Sequence, residues 1–343
     1  MRAFRVERPG DARLVDVAAP TPAPGEVLVR VEAVGICGSD LELIRGTRDA
    51  AFCRFPVVPG HEWAGVIAES TPDAPHLPAG ARVVVEGHHF CGACRQCAAG
   101  RTHLCAHYDE YGFTRDGGYG EYVAARVDLC HPLTNVTCDV GALSEPTACA
   151  LHGVERSDVS DTDTVVVIGA GPIGLLAAAC AAARRPARLV VADVRDTTFE
   201  VARVLGASDT VCAPAASLAH AVRESVGGGA DVVIEAAGHP LAQIAAADVL
   251  ARGGRLTILG IAGSDRTAPF NFDPLVFRDA HLEAVFAYPS SVFGRAVRLI
   301  DEGRVDPSPL ITHRFGLSEA ARALALLEAR TEPAIKVVLD PRA

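Results

Sequence analysis

The stretch Val165-Val166-Val167-Ile168-Gly169-Ala170-Gly171-Pro172-Ile173-Gly174 decides the fold. A β-branched apolar run feeds a G-x-G-x-x-G turn, and the charge-free, alanine-rich segment Leu175 to Ala183 follows as a helix. In such a turn Gly169 permits the tight bend and Gly171 lets a pyrophosphate approach the backbone. Gly174 lets the helix pack closely on the strand. Pro172 and Ile173, within the turn, are expected among the cofactor contacts, and the N-terminus of the following helix offers free N–H groups and partial positive charge to phosphates. A second strand, Arg188 to Ala192, ends at Asp193, nineteen residues after Gly174. A carboxylate there pairs the adenosine ribose hydroxyls and repels a 2′-phosphate, so the expected cofactor is NAD rather than NADP. Arg195, two residues on, opposes that reading because it could neutralise such a phosphate.

Outward from this turn, residues 155–288 alternate strands and helices. Strand candidates are Thr164–Ile168, Leu189–Ala192, Asp209–Cys212, Val232–Glu235, Leu256–Leu259 and Leu282–Phe286, with helical stretches Phe199–Leu205, Ala215–Val226 and Leu241–Leu250 between them. Six strands with helical crossovers make a doubly wound parallel sheet, an α/β architecture. Upstream, residues 1–154 read as mostly β. Met1 to Val6 and Gly25 to Val34 alternate apolar and polar, and Trp63 to Ala68 and Ala81 to Glu86 resume strand character. Residues 289–343 change texture again, with helices near Val292–Asp301 and Ser318–Ala329 and a last strand Ile335–Leu339. This tail is expected to complete the first domain, so that the dinucleotide-binding domain is inserted.

A chain of 343 residues has room for two domains, and its 49% hydrophobic and 22% charged residues are ordinary for a soluble protein. The net charge of −10 argues against nucleic acid and anionic membrane and suits a cationic ligand. Val165 to Ala183 carries no charge, but its Gly-x-Gly-Pro interruption makes it strand and helix rather than a membrane span. The first residues, Met1-Arg2-Ala3-Phe4-Arg5, lack the apolar stretch of a signal peptide. Eleven cysteines in that context point to thiols and metal in a reducing cytoplasm.

Cys91, Cys94, Cys97 and Cys105 fall within fifteen residues, a spacing for a closed, tetrahedral structural zinc in a lobe of about residues 88–108. A second, dispersed set comprises Cys37 in Gly-Ile-Cys-Gly-Ser-Asp, His61 and Glu62 in Gly-His-Glu, and Glu145 in Ser-Glu-Pro. Thiolate, imidazole and carboxylate form a donor set that zinc accepts, and a catalytic zinc takes three such ligands and keeps one position open.

These motifs, in this order and with Gly-Ala-Gly-Pro-Ile-Gly following, resemble the zinc-dependent medium-chain dehydrogenases along nearly the whole chain, through Ile311-Thr312-His313-Arg314-Phe315 and Lys336-Val337-Val338. The resemblance implies a GroES-like catalytic domain, an inserted Rossmann domain and an active site in the cleft between them. It also implies one catalytic and one structural Zn2+ per chain, and a homodimer or homotetramer. Cys37, His61 and either Glu62 or Glu145 would hold the catalytic zinc. Glu145 stands where the alcohol dehydrogenase branch has a second cysteine, which places the chain nearer the sorbitol and threonine dehydrogenases. Cofactor contacts are implied at Gly260, Tyr288 and Lys336. The implied chemistry is oxidation of a secondary hydroxyl, with Ser39 taking the proton and the nicotinamide the hydride.

Three positions depart from the family pattern. Glu42 replaces the relay histidine, Leu43 replaces a tyrosine of the sorbitol branch, and Ala287-Tyr288 replaces its Arg-Tyr pair. A cation is lost and an anion gained, which favours a bulkier cationic substrate over a linear polyol. By resemblance to the dehydrogenases of aminoglycoside biosynthesis, the expected substrate is an aminocyclitol or aminoglycoside, with Glu42 as proton relay, ammonium anchor or both. Sorbitol-like polyols and L-threonine are the rival substrates, and a non-catalytic binding member of the fold is the rival role.

Overall fold

In the computed structural model, which describes residues 1–72, 74–263, 266–329 and 332–343, the chain forms two compact units. One comprises Met1–Glu145, Tyr288–Gly303 and Ile311–Ala343; the other comprises Pro146–Ala287 and Arg304–Leu310. In chain order the strands of the first segment are β1 (Arg2–Arg8), β2 (Asp11–Asp16), β3 (Glu26–Gly35), β4 (Glu62–Glu69), β5 (Arg82–Val85), β6 (His88–His89), β7 (Asp109–Glu110), β8 (Tyr122–Arg126) and β9 (Cys130–Pro132). The second unit contributes β10 (Thr164–Ile168), β11 (Arg188–Asp193), β12 (Asp209–Cys212), β13 (Ala230–Glu235), β14 (Leu250–Ile258) and β15 (His281–Ala284). The tail adds β16 (Ile311–Gly316) and β17 (Lys336–Asp340).

The second unit is an all-parallel sheet in the order β12-β11-β10-β13-β14-β15. Its central strands read as unbroken apolar runs, with Val165 to Ile168 and Leu189 to Ala192 buried without alternation. Such runs arise when helices cover both faces of a parallel sheet. The crossovers Pro172–Ala182, Phe199–Val204, Leu218–Val226, Pro240–Val249 and Asp273–Arg278 supply that cover. The strand order reverses between β10 and β13, and doubly wound sheets bind ligands at the strand ends beside such a reversal. Val165 to Ala183 thus resolves into β10 and the helix Pro172–Ala182, and no helix among the described residues is long and apolar enough to cross a membrane.

The first unit is built on a seven-stranded sheet in the order β16-β17-β3-β4-β5-β9, with β8 also on β3. β3 is its spine, pairing antiparallel with β4, β8 and β17. Val27, Val29, Val31, Trp63, Ile67, Val83, Val337 and Leu339 fill its core. The last described strand therefore belongs in the middle of a sheet begun by residue 26, and the register Val338↔Gly35, Leu339↔Val34 fixes it beside the stretch leading to Cys37.

Candidate active site

Cys37 follows β3 and caps the helix Gly38–Arg45. Three residues on, Asp40 is fully buried, and its Oδ2 accepts the Cys37 N–H at 2.8 Å and the Tyr119 hydroxyl at 3.2 Å. Its Oδ1 lies 3.3 Å from His61 Nδ1. Burial opposes a charge on His61, yet Asp40 more than compensates and raises the imidazole pKa. One carboxylate thus orients both the cysteine and the histidine, as outer partners of metal ligands do. His61 and Glu62 lie side by side where the chain enters β4, and ligand atoms of Cys37, His61 and Glu62 all fall within 4.8 Å of one another. Soft sulfur, imidazole and carboxylate at that separation fit a zinc ion.

Glu62 carries a second commitment. Both its oxygens accept from Lys336 Nζ, at 2.8 and 2.7 Å, and the same ammonium donates to the Ile36 carbonyl at 3.3 Å. The two side chains are 1% and 3% exposed, so neither charge has water to fall back on. Gly35 makes this possible: a Cβ there would stand 2.2 Å from Glu62 Oε2. Lys336, expected on the cofactor, lies in this cluster. Glu145 is buried close by without joining the 4.8 Å group, and burial, with Glu62 and Glu110 adding to it, pushes its carboxyl up to about 7. Ser39 is half-buried in the first turn of the helix after Cys37, and Glu42 is exposed one turn further. Tyr288 is fully buried in the first unit, its ring against His88 and Phe293.

The four cysteines Cys91, Cys94, Cys97 and Cys105 converge. Cys94 Sγ lies 3.5 Å from Cys97 and 4.0 Å from Cys105, and Cys91 lies 4.0 Å from Cys97. A tetrahedral zinc–thiolate site spaces its sulfurs by roughly 3.8 Å. Backbone N–H groups draw the Cys94 thiol down to about 6, while burial and the neighbouring sulfurs push Cys97 up to about 12. Four thiolates so crowded need a cation among them, and the residues fit one.

In the second unit Gly169 has φ +102°, and a Cβ on it would meet Ala237 N at 2.6 Å. A Cβ on Gly174 would meet the Gly169 carbonyl at 1.8 Å, so the close approach of helix to turn requires glycine there. Above Gly171 nothing lies within 4 Å of such an atom, which leaves the helix N-terminus open to a phosphate. Asp193 accepts the N–H groups of Ala170 at 2.7 Å and Arg195 at 3.0 Å, so it braces the turn with lone pairs left for a ribose. Arg195 itself is exposed. Gly260 is pressed against Gly238, and Glu235, fully buried, accepts the N–H groups of Ala237 and Gly238 at 2.8 and 3.0 Å. The sequence reading misses Asp40, Glu110, Glu235 and the Lys336–Glu62 pair. Only Asp40 left a signal, standing at the third helical position after Cys37.

The chain matches the alcohol dehydrogenase GroES-like domain family over residues 23–135 and the zinc-binding dehydrogenase family over residues 172–302. It is 34% identical to an erythritol/L-threitol dehydrogenase of Mycolicibacterium smegmatis, covering 99% of this chain and 98% of that one. It is 33% identical to a sorbitol dehydrogenase of Arabidopsis thaliana, over 94% of this chain and 90% of the other. A zinc-binding dehydrogenase of Sinorhizobium meliloti, solved bound to NADP, superposes with a TM-score of 0.90 at 31% identity over 99% of both chains. A fold shared end to end, two ligand sets of the right chemistry and relatives that oxidise hydroxyl groups leave one conclusion: the chain belongs to the zinc-dependent medium-chain dehydrogenases and is an NAD-dependent alcohol dehydrogenase.

Proposed function

We propose that the protein oxidises a ring hydroxyl of an aminocyclitol or aminoglycoside to a ketone, in antibiotic biosynthesis in a reducing cytoplasm. The observation that carries the substrate class is the concentration of buried acids in the first unit: Asp40, Glu62, Glu110 and Glu145 are all buried, with Lys336 on Glu62 and Arg48 on Glu110 as cations. Acids so concentrated lower the cost of bringing an ammonium to the site. None of the eleven cysteines lies in a disulfide, which fits that compartment.

Cys37, His61 and Glu62 would hold the catalytic zinc, with Glu145 next to them, and Cys91, Cys94, Cys97 and Cys105 the structural one. When bound, the catalytic zinc supplies Lewis-acid polarisation of the substrate hydroxyl and NAD accepts the hydride. Asp40 fixes His61 by its Nδ1, which leaves Nε2 as the ligand atom. Ser39, two residues after Cys37, takes the hydroxyl proton, and Glu42, exposed one turn on, passes it to water. In the second unit Gly171 and the helix N-terminus seat the pyrophosphate while Asp193 pairs the ribose. Self-association as a dimer or tetramer is part of the same proposal.

The test is kcat/KM, followed as NADH formation, for an aminocyclitol, its N-acetylated form, sorbitol and L-threonine, in wild type and Glu42→Gln. The amine is expected to lead, N-acetylation to lower the value at least roughly tenfold, and Glu42→Gln to slow turnover. Sorbitol or L-threonine as the better substrate would overturn the assignment.

A further inference from the structure

Next to the metal-ligand residues lies a polar cluster that the proposed chemistry leaves unused. Glu110, on the short strand β7, is 4% exposed and sits opposite His88 of β6. Its Oε2 accepts from the Tyr108 hydroxyl and, at 3.4 Å, from Arg48 Nη2. Its Oε1 lies 3.4 Å from His88 Nε2, the one contact it has among the described residues. A fully engaged charge-assisted bond runs about 2.7–2.9 Å, and a carboxylate offers about four lone-pair sites. Glu110 is therefore held in place on one oxygen and under-used on the other.

The cluster reaches the metal group through rings. The Arg48 guanidinium lies 3.8 Å above the Phe113 ring, and Phe113 packs on the His61 imidazole at 4.9 Å between centroids. Glu110 is also close enough to Glu145 to help raise its carboxyl. Among the neighbouring acids, Glu62 is answered by Lys336 and Asp40 by His61 at 3.3 Å. Glu110 is answered on Oε2 by the Tyr108 hydroxyl and by Arg48 at 3.4 Å, while its Oε1 faces His88 Nε2 at 3.4 Å.

We propose that Glu110 Oε1 receives the ammonium group of the substrate, with Tyr108 holding the carboxylate in register. This makes Glu110 the specificity-determining residue of the site and rests on the amino-alcohol reading given above. Arg48 has the opposite influence: by sharing the charge of Glu110 it limits how strongly the amine is held.

Full-length, zinc-loaded wild type, Glu110→Gln and Arg48→Met are compared with NAD and three probes: 2-aminocyclohexanol, cyclohexane-1,2-diol and cyclohexanol. NADH formation gives kcat/KM, and calorimetric titration gives binding whether or not a probe is oxidised. Glu110→Gln is expected to lower kcat/KM and affinity for the amine roughly tenfold to a hundredfold, while the diol and the plain alcohol change by less than about threefold. Arg48→Met is expected to raise affinity for the amine over the diol. Equal losses for all three probes in Glu110→Gln, or an unchanged amine, overturn the inference. If none of the probes is oxidised, the proposed reaction fails, yet weaker amine binding in Glu110→Gln still upholds the role of Glu110; unaltered binding removes that role too.

Discussion

Lys336 and Glu62 are 274 residues apart in sequence and 2.7 Å apart in the fold. In the zinc-free protein, removing one partner of a pair this deeply buried leaves a bare charge, so Lys336→Met should destabilise that form by about 3–5 kcal/mol. Urea unfolding measures it, and a change below about 1 kcal/mol would mean that water reaches Glu62. The double replacement Lys336→Met with Glu62→Gln should recover part of the loss, since no bare charge remains. Asp193 permits a finer dissection, because its carboxylate both braces the glycine turn and supplies a negative charge. Asp193→Asn keeps an acceptor for Ala170 N–H but loses the charge, so NADP should gain on NAD with little change in melting temperature. Asp193→Ala should erode both cofactor discrimination and the turn, raising KM for NAD as well. Equal kcat/KM for NAD and NADP in wild type would remove Asp193 as the selector.

At the level of elements, the cysteine lobe and the Cys37 group should separate cleanly. Metal analysis is expected to find two zinc ions per chain, one lost in Cys37→Ala together with turnover and with the fold near intact. Cys94→Ala should lose the other and lower the melting temperature, because the lobe has four crowded sulfurs where its core would be. A single zinc unaffected by Cys37→Ala would contradict both assignments. Which elements could be read beforehand follows from how local their causes are. β10, the glycine turn and its helix lie within nineteen residues, and the four cysteines of the lobe lie within fifteen, so pattern alone exposes them. The helix Ser144–Arg156 escapes notice because Pro146 looks like a breaker; it falls in the first turn, where a helix N–H has no internal partner anyway. β2, Asp11–Asp16, has no buried residue, so no apolar rhythm announces it. Glu110 is invisible for a different reason: its importance comes from Arg48, Tyr108, His88 and Glu145, which only tertiary structure gathers.

At the scale of the whole molecule, β15 ends the parallel sheet among the described residues and shows Leu282 47% exposed, with Phe286, Phe272, Val276 and Phe277 exposed nearby in sequence. An apolar sheet edge of this kind invites pairing, and on β15 His281 and Glu283 flank Leu282, so an antiparallel copy centred on Leu282 sets unlike groups opposite each other. Light scattering is expected to find a dimer or tetramer, and Leu282→Lys to shift it towards monomer; a wild-type monomer at micromolar concentration would refute self-association. The position of β17 has a further consequence, for the timing of synthesis. β3 is made early but keeps the end of one flank open until Val338 and Leu339 arrive to pair with Gly35 and Val34, and Glu62 has no ammonium until Lys336 is made. The second unit has all of its residues by Leu310. On the ribosome, the glycine turn can therefore be assembled while Glu62 still lacks its ammonium. The unit that carries the turn has its full complement of residues before the unit that carries Cys37, His61 and Glu62.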